Sequence, residues 1–370
     1  MCSRSAVWAK IGDVLSRAQA VAGELTDLLG VQVDADAVVA GRAALLGLHP
    51  QGRISAGGAT RLMPTRDGWW ALTLSRADDI EAVPALIEAD AVPTDPWPAV
   101  KEWAATRGGE DVVERAALLG LPAARLGETA PAAPIVRRSG RRTEARPATG
   151  LLVADLSSMW AGPLCGQLLA AAGATVVKVE SPARPDGTRT GDQRFYDWMN
   201  HGKLSYTVDF DSNRIAALLA VADVVIEGSR PGVLARRGLS PETLVGPDGR
   251  IWLRITGHGP DSPRVAFGDD AAVAGGLVDT SPSGPVFRGD AIADPLTGLE
   301  AALAVAHSLQ RGGGETIEVA MAAVAATYAA LPAETPIPSS PPQITAAASA
   351  LGADNATVEA LVQQRSSVAC

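Results

Sequence analysis

The residues best suited to covalent chemistry stand at Gly268-Asp269-Asp270, with Gly275-Gly276 shortly after them. A carboxylate there can attack an activated acyl carbon to give a mixed anhydride. A thiolate attacking that anhydride gives an enzyme-bound thioester, so one difficult exchange becomes two easier steps. The glycines offer adaptable backbone around the acids and amides for developing oxygen charge. The same two acids also suit a plain helix start. Asp294, in Ala293-Asp294-Pro295, carries the same double reading: a turn or helix-start residue, or a partner that the fold brings to Asp270. The histidines, His49, His201, His258 and His307, have no metal-ligand spacing and no serine-elbow motif beside them, so no metal is expected. His258, between Gly257 and Gly259, suits a site loop or an ordinary hydrogen-bonded place and is not taken as the base.

A second group of candidates suits a phosphorylated ligand. Trp160-Ala161-Gly162-Pro163 falls between an expected strand and an expected helix, where a tight turn can bring amides to phosphate oxygens. The segment lacks the Gly-Lys-Ser/Thr ending of a phosphate loop and the glycine spacing of a dinucleotide fingerprint, so a structural turn stands beside the ligand reading. Lys178 and Glu180 end the next expected strand, the edge where open α/β sheets place their sites, though loop residues of this kind are common.

These residues need a scaffold, and the 370-residue chain is long enough for two or three compact units. From residue 151 the pattern alternates: strands at 151–156, 175–179, 205–210, 223–227, 251–256 and 315–319, helices at 162–172, 215–220, 292–309 and 319–331. This rhythm predicts an α/β fold with a parallel sheet. The earlier part reads as a smaller mixed α/β unit. It holds a helix over 6–29, a hairpin of 60–64 and 67–74 around Asp67-Gly68, and helices near 78–87, 97–103 and 110–119. Residues 127–149, rich in Pro, Ala, Arg and Gly, read as a linker whose Arg137, Arg138, Arg141 and Arg142 form a solvated basic loop or meet phosphate. A Pro-rich break over 332–342 precedes a terminal helix or helix pair over 346–364.

Composition narrows the class. A net charge of -9 disfavours a broad nucleic-acid groove but leaves room for a local basic pocket. Hydrophobic residues at 47% against 20% charged describe a folding chain. No apolar run reaches the roughly 18 residues of a membrane span, and residues 1–13 lack the apolar core of a secretion signal. Cys2, Cys165 and Cys370 fit neither a disulfide framework nor a zinc site, so a reducing cytoplasm is expected.

Longer blocks carry a resemblance. VADLSSMWAGPLCGQLLAAAGATVVKVE at 153–180, GTR at 187–189, HGKLSYTVDF at 201–210, ADVVIEGSRPGVLARRGL at 222–239 and ADPLTGLEAALAVAHSL at 293–309 resemble the class III CoA-transferase family, also called the carnitine dehydratase and bile-acid-inducible family. That resemblance implies a Rossmann-like large domain, a smaller domain joined by long crossings, and an interlocked homodimer. It also implies transfer of CoA between carboxylic acids through an aspartyl intermediate, with coenzyme A or acyl-CoA as co-substrate. The family's acid falls on Asp270, while Asp269 stands where transferases often carry an aromatic residue. The racemase branch uses a His-Asp pair here and a downstream Asp. Asp269 replaces that His and Asp294 matches the downstream acid, which favours acyl transfer over racemisation and leaves a noncatalytic acyl-CoA-binding protein as the other reading. For CoA contacts the resemblance implies Ala161 and Gly162, then Lys178, the loop from Arg184 to Arg189, and Arg230. Ser181 and Thr256 stand where transferases often carry basic residues.

The order of the blocks departs from the family. GRISAGGATRLMPTRDGWWALTLSRADD at 52–79 and LLGLPAARLGE at 118–128 resemble the family's small domain, which normally follows the large one. PPQITAAASALGADNATVEALVQQR at 341–365 resembles its closing segment. The chain thus reads as circularly rearranged, a change that preserves packing where former ends lie close. The expected division is a small domain with its leading helix over 1–128, a linker over 129–149, the large domain over 150–331 and the closing tail over 332–370.

Overall fold

The computed structural model describes residues 13–91, 94–331 and 341–368, so the expected helical turns at 6–12, Cys2, Cys370 and most of the Pro-rich break lie outside the described residues. The first two helices among the described residues are α1 (Val14–Leu29) and α2 (Ala35–Leu46). Each begins at an aspartate, Asp13 or Asp34, whose side chain accepts backbone N–H groups, and each ends on a left-handed glycine, Gly30 or Gly47. Sequence patterning gives no warning of α2, because its apolar residues do not gather into one stripe.

The expected hairpin is present as β1 (Thr60–Pro64) and β2 (Trp69–Thr73), paired antiparallel so that Thr60 faces Thr73 and Leu62 faces Ala71. The helix expected near 78–87 is divided into α3 (Ala77–Glu81) and α4 (Val83–Ile87), because Pro84 has no N–H with which to continue a ladder. α5 (Trp97–Ala105) and α6 (Gly109–Leu118) follow, and β3 (Ala123–Arg125) joins β2 as the third strand. Trp70, Leu72, Leu86, Val100, Trp103 and Val112 are buried together as the core of this unit.

The stretch expected to be a linker carries a strand, β4 (Ile135–Arg138), which pairs antiparallel with β12 (Glu315–Ala320) at one edge of a seven-stranded sheet. Its basic residues meet carboxylates: Arg137 pairs with Glu318 at 2.9 Å, and Arg142 with Glu315 at 2.7 Å. Glu315 and Glu318 are buried on β12, and a buried carboxylate needs such partners, so these arginines have a structural task that composition does not reveal.

The remaining strands are β5 (Leu152–Leu156), β6 (Thr175–Glu180), β7 (Leu204–Thr207), β8 (Val224–Glu227) and β9 (Ile251–Thr256), all parallel to their neighbours. The order is β4-β12-β9-β8-β5-β6-β7, so the chain runs outward from β5 to β7 and then returns to start the other half at β8. The switch of direction lies between β5 and β8, where open sheets form a crevice at their carboxyl ends. Helices α7 (Ala161–Ala171), α8 (Gln193–Asn200) and α9 (Asn213–Val221) connect these strands. α10 (Gly268–Ala274), the hairpin β10 (Val278–Ser281) and β11 (Gly284–Phe287), α11 (Ala293–Gln310) and α12 (Met321–Ala329) complete this α/β body.

The closing helix α13 (Asn355–Val368) starts later than the pattern suggests. Asp354 and Asn355 accept from the amides of Ser205 and Thr207, so two side chains cover the free edge of β7. The N-terminal unit docks on α10: Gly127 and Thr129 donate to the carbonyls of Val273 and Ala274, and Leu62 and Ala71 pack with Val273 and Phe287. Among the described residues no helix is long and apolar enough to cross a membrane.

Candidate active site

α10 begins where extended backbone at Phe267 turns into helix, and Asp270 reaches back to accept the Phe267 N–H at 3.0 Å. A β-carbon on Gly268 would lie 2.3 Å from the Ala291 carbonyl oxygen and 2.4 Å from Asp294 Oδ2, so only glycine lets the start of α11 close onto α10. This contact gathers three acids from two distant stretches of sequence.

Asp270 is fully buried. Its Oδ1 accepts from Phe267 N–H and from the Thr73 hydroxyl at 2.9 Å, whereas Oδ2 has no hydrogen-bond partner among the described residues. Burial pushes its pKa up to about 7; the two donors oppose this and the neighbouring Asp269 adds to it. Asp269 accepts from Ala291 N–H at 3.0 Å and from the Thr60 hydroxyl at 3.2 Å; burial with the charge of Asp290 raises it to about 6, opposed by hydrogen bonds from Ser55, Ala291 and Thr60. Asp294 lies against the backbone of Ala161 and Gly268; burial raises it to about 7, opposed by Arg42 and assisted by Asp269.

Several of these partners have no forewarning in the sequence reading. Thr60 and Thr73 come from the N-terminal hairpin, with their hydroxyl oxygens 3.0 Å apart. Their register was available as a signal, since a hairpin closed at Asp67-Gly68 sets these two polar residues opposite each other on an otherwise apolar face. Arg42, from α2, holds Asp290 by two contacts of 2.6 and 2.7 Å and lies over the rings of Trp160 and Phe195. No local signal marks Arg42, because the helix that carries it is itself unmarked.

The glycine pair has a different place from the one expected. The Gly275 N–H donates to Ala271 and the Gly276 N–H to Val273, so both amides are engaged within the end of α10 rather than directed at an oxyanion. A β-carbon on Gly275 would sit 2.4 Å from Ala326 N and 2.7 Å from Ala322 O, against the backbone of α12. Gly275→Ala is therefore expected to destabilise the protein by about 1–3 kcal/mol, read as a lower urea midpoint.

The residues suggested for CoA separate into two groups. Ala161 and Gly162 start α7 at the switch point, where a β-carbon on Gly162 would lie 2.2 Å from Ser157, so this glycine permits helix and loop to touch. Lys178 is buried, bonded to the Ser157 carbonyl and paired at 2.7 Å with Asp186. Burial opposes its charge, but Asp186 and Asp155 outweigh it and hold the ammonium above its usual range. Arg189 forks onto Glu180 and stacks on Tyr196. Both cations thus serve an internal network, because the loop after β6 brings Asp186 to Lys178 and returns Arg189 to Glu180. Arg184 and Arg230 are exposed, Arg230 in the turn after β8 at the switch point. The His258 side chain is enclosed beside Arg264 and Glu128, and burial with the Arg264 charge lowers it to about 3, so the imidazole is neutral. No cluster able to hold a metal ion occurs among the described residues.

A family model described as CoA-transferase family III matches residues 149–350. Similar proteins include a formyl-CoA:oxalate CoA-transferase of Afipia carboxidovorans, 31% identical over 198 residues that cover 48% of this chain and 47% of that protein. Another is a succinate–glutarate CoA-transferase of Agrobacterium fabrum, 32% identical over 204 residues, 47% of this chain and 51% of that protein. Among solved structures, a CaiB/BaiF family protein from Brucella suis aligns with 31% identity and a TM-score of 0.45, covering 50% of this chain and 56% of that one. The chain spans about half the length of the curated relatives it matches.

Proposed function

The chain belongs to CoA-transferase family III, and on that footing we propose that it transfers coenzyme A between carboxylic acids with Asp270 as the nucleophile. The observation that carries this reading is the asymmetric carboxylate of Asp270, with Oδ1 held by two donors and Oδ2 buried without a partner. An oxygen in that state is poorly solvated and therefore a stronger nucleophile than one in water.

In the first step Oδ2 attacks the thioester carbonyl of an acyl-CoA, forming a mixed anhydride and releasing the CoA thiolate. The thiolate attacks the aspartyl carbon, which releases the first acid as its carboxylate and leaves an aspartyl-CoA thioester. A second carboxylate attacks that thioester, giving a new anhydride and the thiolate again. The thiolate then attacks the new acyl carbon, forming the second acyl-CoA and restoring the Asp270 carboxylate. When the aspartyl carbon is tetrahedral, charge collects on Oδ1, where the Phe267 N–H and the Thr73 hydroxyl already point. These two donors take the part expected of Gly275 and Gly276.

The CoA body is assigned to the switch-point crevice, with the α7 start at Ala161 and Gly162 beside it and exposed Arg184 and Arg230 for its phosphates. The rearranged domain order belongs to the same proposal and is supported by the reach of Thr73 to Asp270 from ahead of the sheet. The homodimer rests on the family resemblance, and sedimentation of the purified chain tests it.

Incubation with a panel of acyl-CoA donors, followed by intact-mass measurement, is expected to show a CoA adduct that maps to Asp270. Finding no adduct and no exchange across a broad donor panel would overturn the proposal. Solvent deuterium at the α-carbon without exchange would replace it with racemisation, and binding without turnover with an acyl-CoA-binding role.

A further inference from the structure

Four oxygens form a continuous line through the site. Asp269 Oδ2 lies 3.2 Å from Thr60 Oγ1, which lies 3.0 Å from Thr73 Oγ1, which lies 2.9 Å from Asp270 Oδ1. The line has three oxygen-oxygen contacts, and each needs one proton between its ends. The two threonine hydroxyls supply two protons. A third must come from one of the carboxyls.

With both acids ionised, one contact faces lone pair to lone pair. With both protonated, one proton is surplus to the line. The three contacts are satisfied together only when one of the two acids carries a proton. We propose that Thr60 and Thr73 form a hydroxyl relay that keeps Asp269 and Asp270 as a singly protonated pair and lets the proton pass between them. Its use in catalysis rests on the transferase reading above; its existence does not.

In one state the Asp269 carboxyl donates to Thr60, Thr60 donates to Thr73, and Thr73 donates to the ionised Asp270. In the other all three donors turn round, and Asp270 holds the proton while Asp269 is ionised. Passing from one to the other moves one proton at each contact and leaves the charge of the pair unchanged. The surroundings favour the second state: Asp290 faces Asp269 and Asp294 lies beyond it, but the Ala291 N–H and the Ser55 hydroxyl also donate to Asp269, whereas Asp270 is fully buried with the Phe267 N–H as its donor outside the line. Arg42 is shared with Asp290, and Arg76 lies over the Phe267 ring, bonded to Asp79. Asp270 thus holds the shared proton at rest, and passing it through the threonines to Asp269 leaves Asp270 ionised for attack. Thr60 is a positioning residue that reaches Asp270 only through Thr73.

The relay belongs to the meeting of two units. The acids stand on α10 and both threonines on the N-terminal hairpin, at directly paired positions of β1 and β2. A shift of that hairpin by one residue would turn both hydroxyls away from the acids.

The test is a carbon NMR titration of the ligand-free full chain labelled at the aspartate carboxyl carbons, with Asp269→Asn and Asp270→Asn used for assignment. The expected result is that both carbons report the same two steps, since proton loss from either changes the line shared by both. Independent single steps in the unsubstituted protein would overturn the relay without needing any variant. Thr73→Val is expected to uncouple the two carbons and move the Asp270 step upward by about one to two pH units, because its charged form loses a donor. Thr60→Val should uncouple them with a smaller shift of Asp270, and Thr60→Ser and Thr73→Ser should restore the shared steps. If Thr73→Val folds and both carbons still titrate together, the relay is wrong. Loss of CoA exchange with coupling intact would sink the transferase reading alone, and exchange with independent titrations would sink the relay alone.

Discussion

Asp270→Asn is expected to reduce CoA exchange by about a thousandfold or more and to abolish the CoA adduct, since no other group in the proposed cycle forms the anhydride. Asparagine keeps an acceptor at Oδ1 for Phe267 N–H and Thr73, so the fold should persist and the loss should lie in turnover. Asp269→Asn is the informative partner. Its amide can donate to Thr60 as a protonated Asp269 would, and exchange is expected to fall by only about tenfold. The adduct in that variant should still map to residue 270. If the two losses were reversed, with Asp269→Asn inactive and Asp270→Asn competent, the nucleophile would be Asp269. Measured rates and adduct masses for both variants separate these outcomes.

Stability is expected to fall as pH rises from about 4 to about 7, the reverse of ordinary acid-sensitive behaviour. Burial holds Asp269, Asp270 and Asp294 at about 6, 7 and 7 against an ordinary 3.8. A carboxyl raised in the folded state binds its proton more tightly there than when unfolded. Its contribution is complete below the unfolded value and is lost as pH climbs through the folded one. For fully buried Asp270 the change is on the order of 4 kcal/mol across that window. Glu315 works in the opposite direction. Burial alone would raise it, but Arg311, Ser308 and Arg142 outweigh that and hold it at about 2, so its gain is complete by about pH 5. Urea midpoints should therefore drop between pH 5 and pH 7.5, and Asp270→Asn combined with Asp294→Asn should flatten the drop. A midpoint that rises over this interval would refute the assignment.

The sheet was legible because its strands are apolar runs separated by helical spacing, and β9 occupies the residues the pattern suggests. The hairpin was legible from Asp67-Gly68 between two alternating runs. Less could be read where structure is imposed from outside. β4 has both faces exposed and becomes a strand only by pairing with β12. α2 lacks a one-sided apolar stripe, and Arg42 was hidden with it.

Within the site, several of the residues expected to support the proposed acids are engaged elsewhere in the fold. Lys178 and Arg189 have the right types and spacing for a phosphate, yet both are committed to acids close by in the fold. Gly275 has the flexibility expected of an oxyanion loop, yet its place is fixed by the backbone of α12. Local period therefore gave the α/β class, and the resemblance of long blocks gave the family and the acids proposed for chemistry. Which oxygen of Asp270 is held and which is bare, and which threonines share its proton, was decided by docking of the N-terminal hairpin onto α10. A hydrogen bond depends on positions known to tenths of an ångström, and no pattern along one chain carries that distance between segments almost two hundred residues apart.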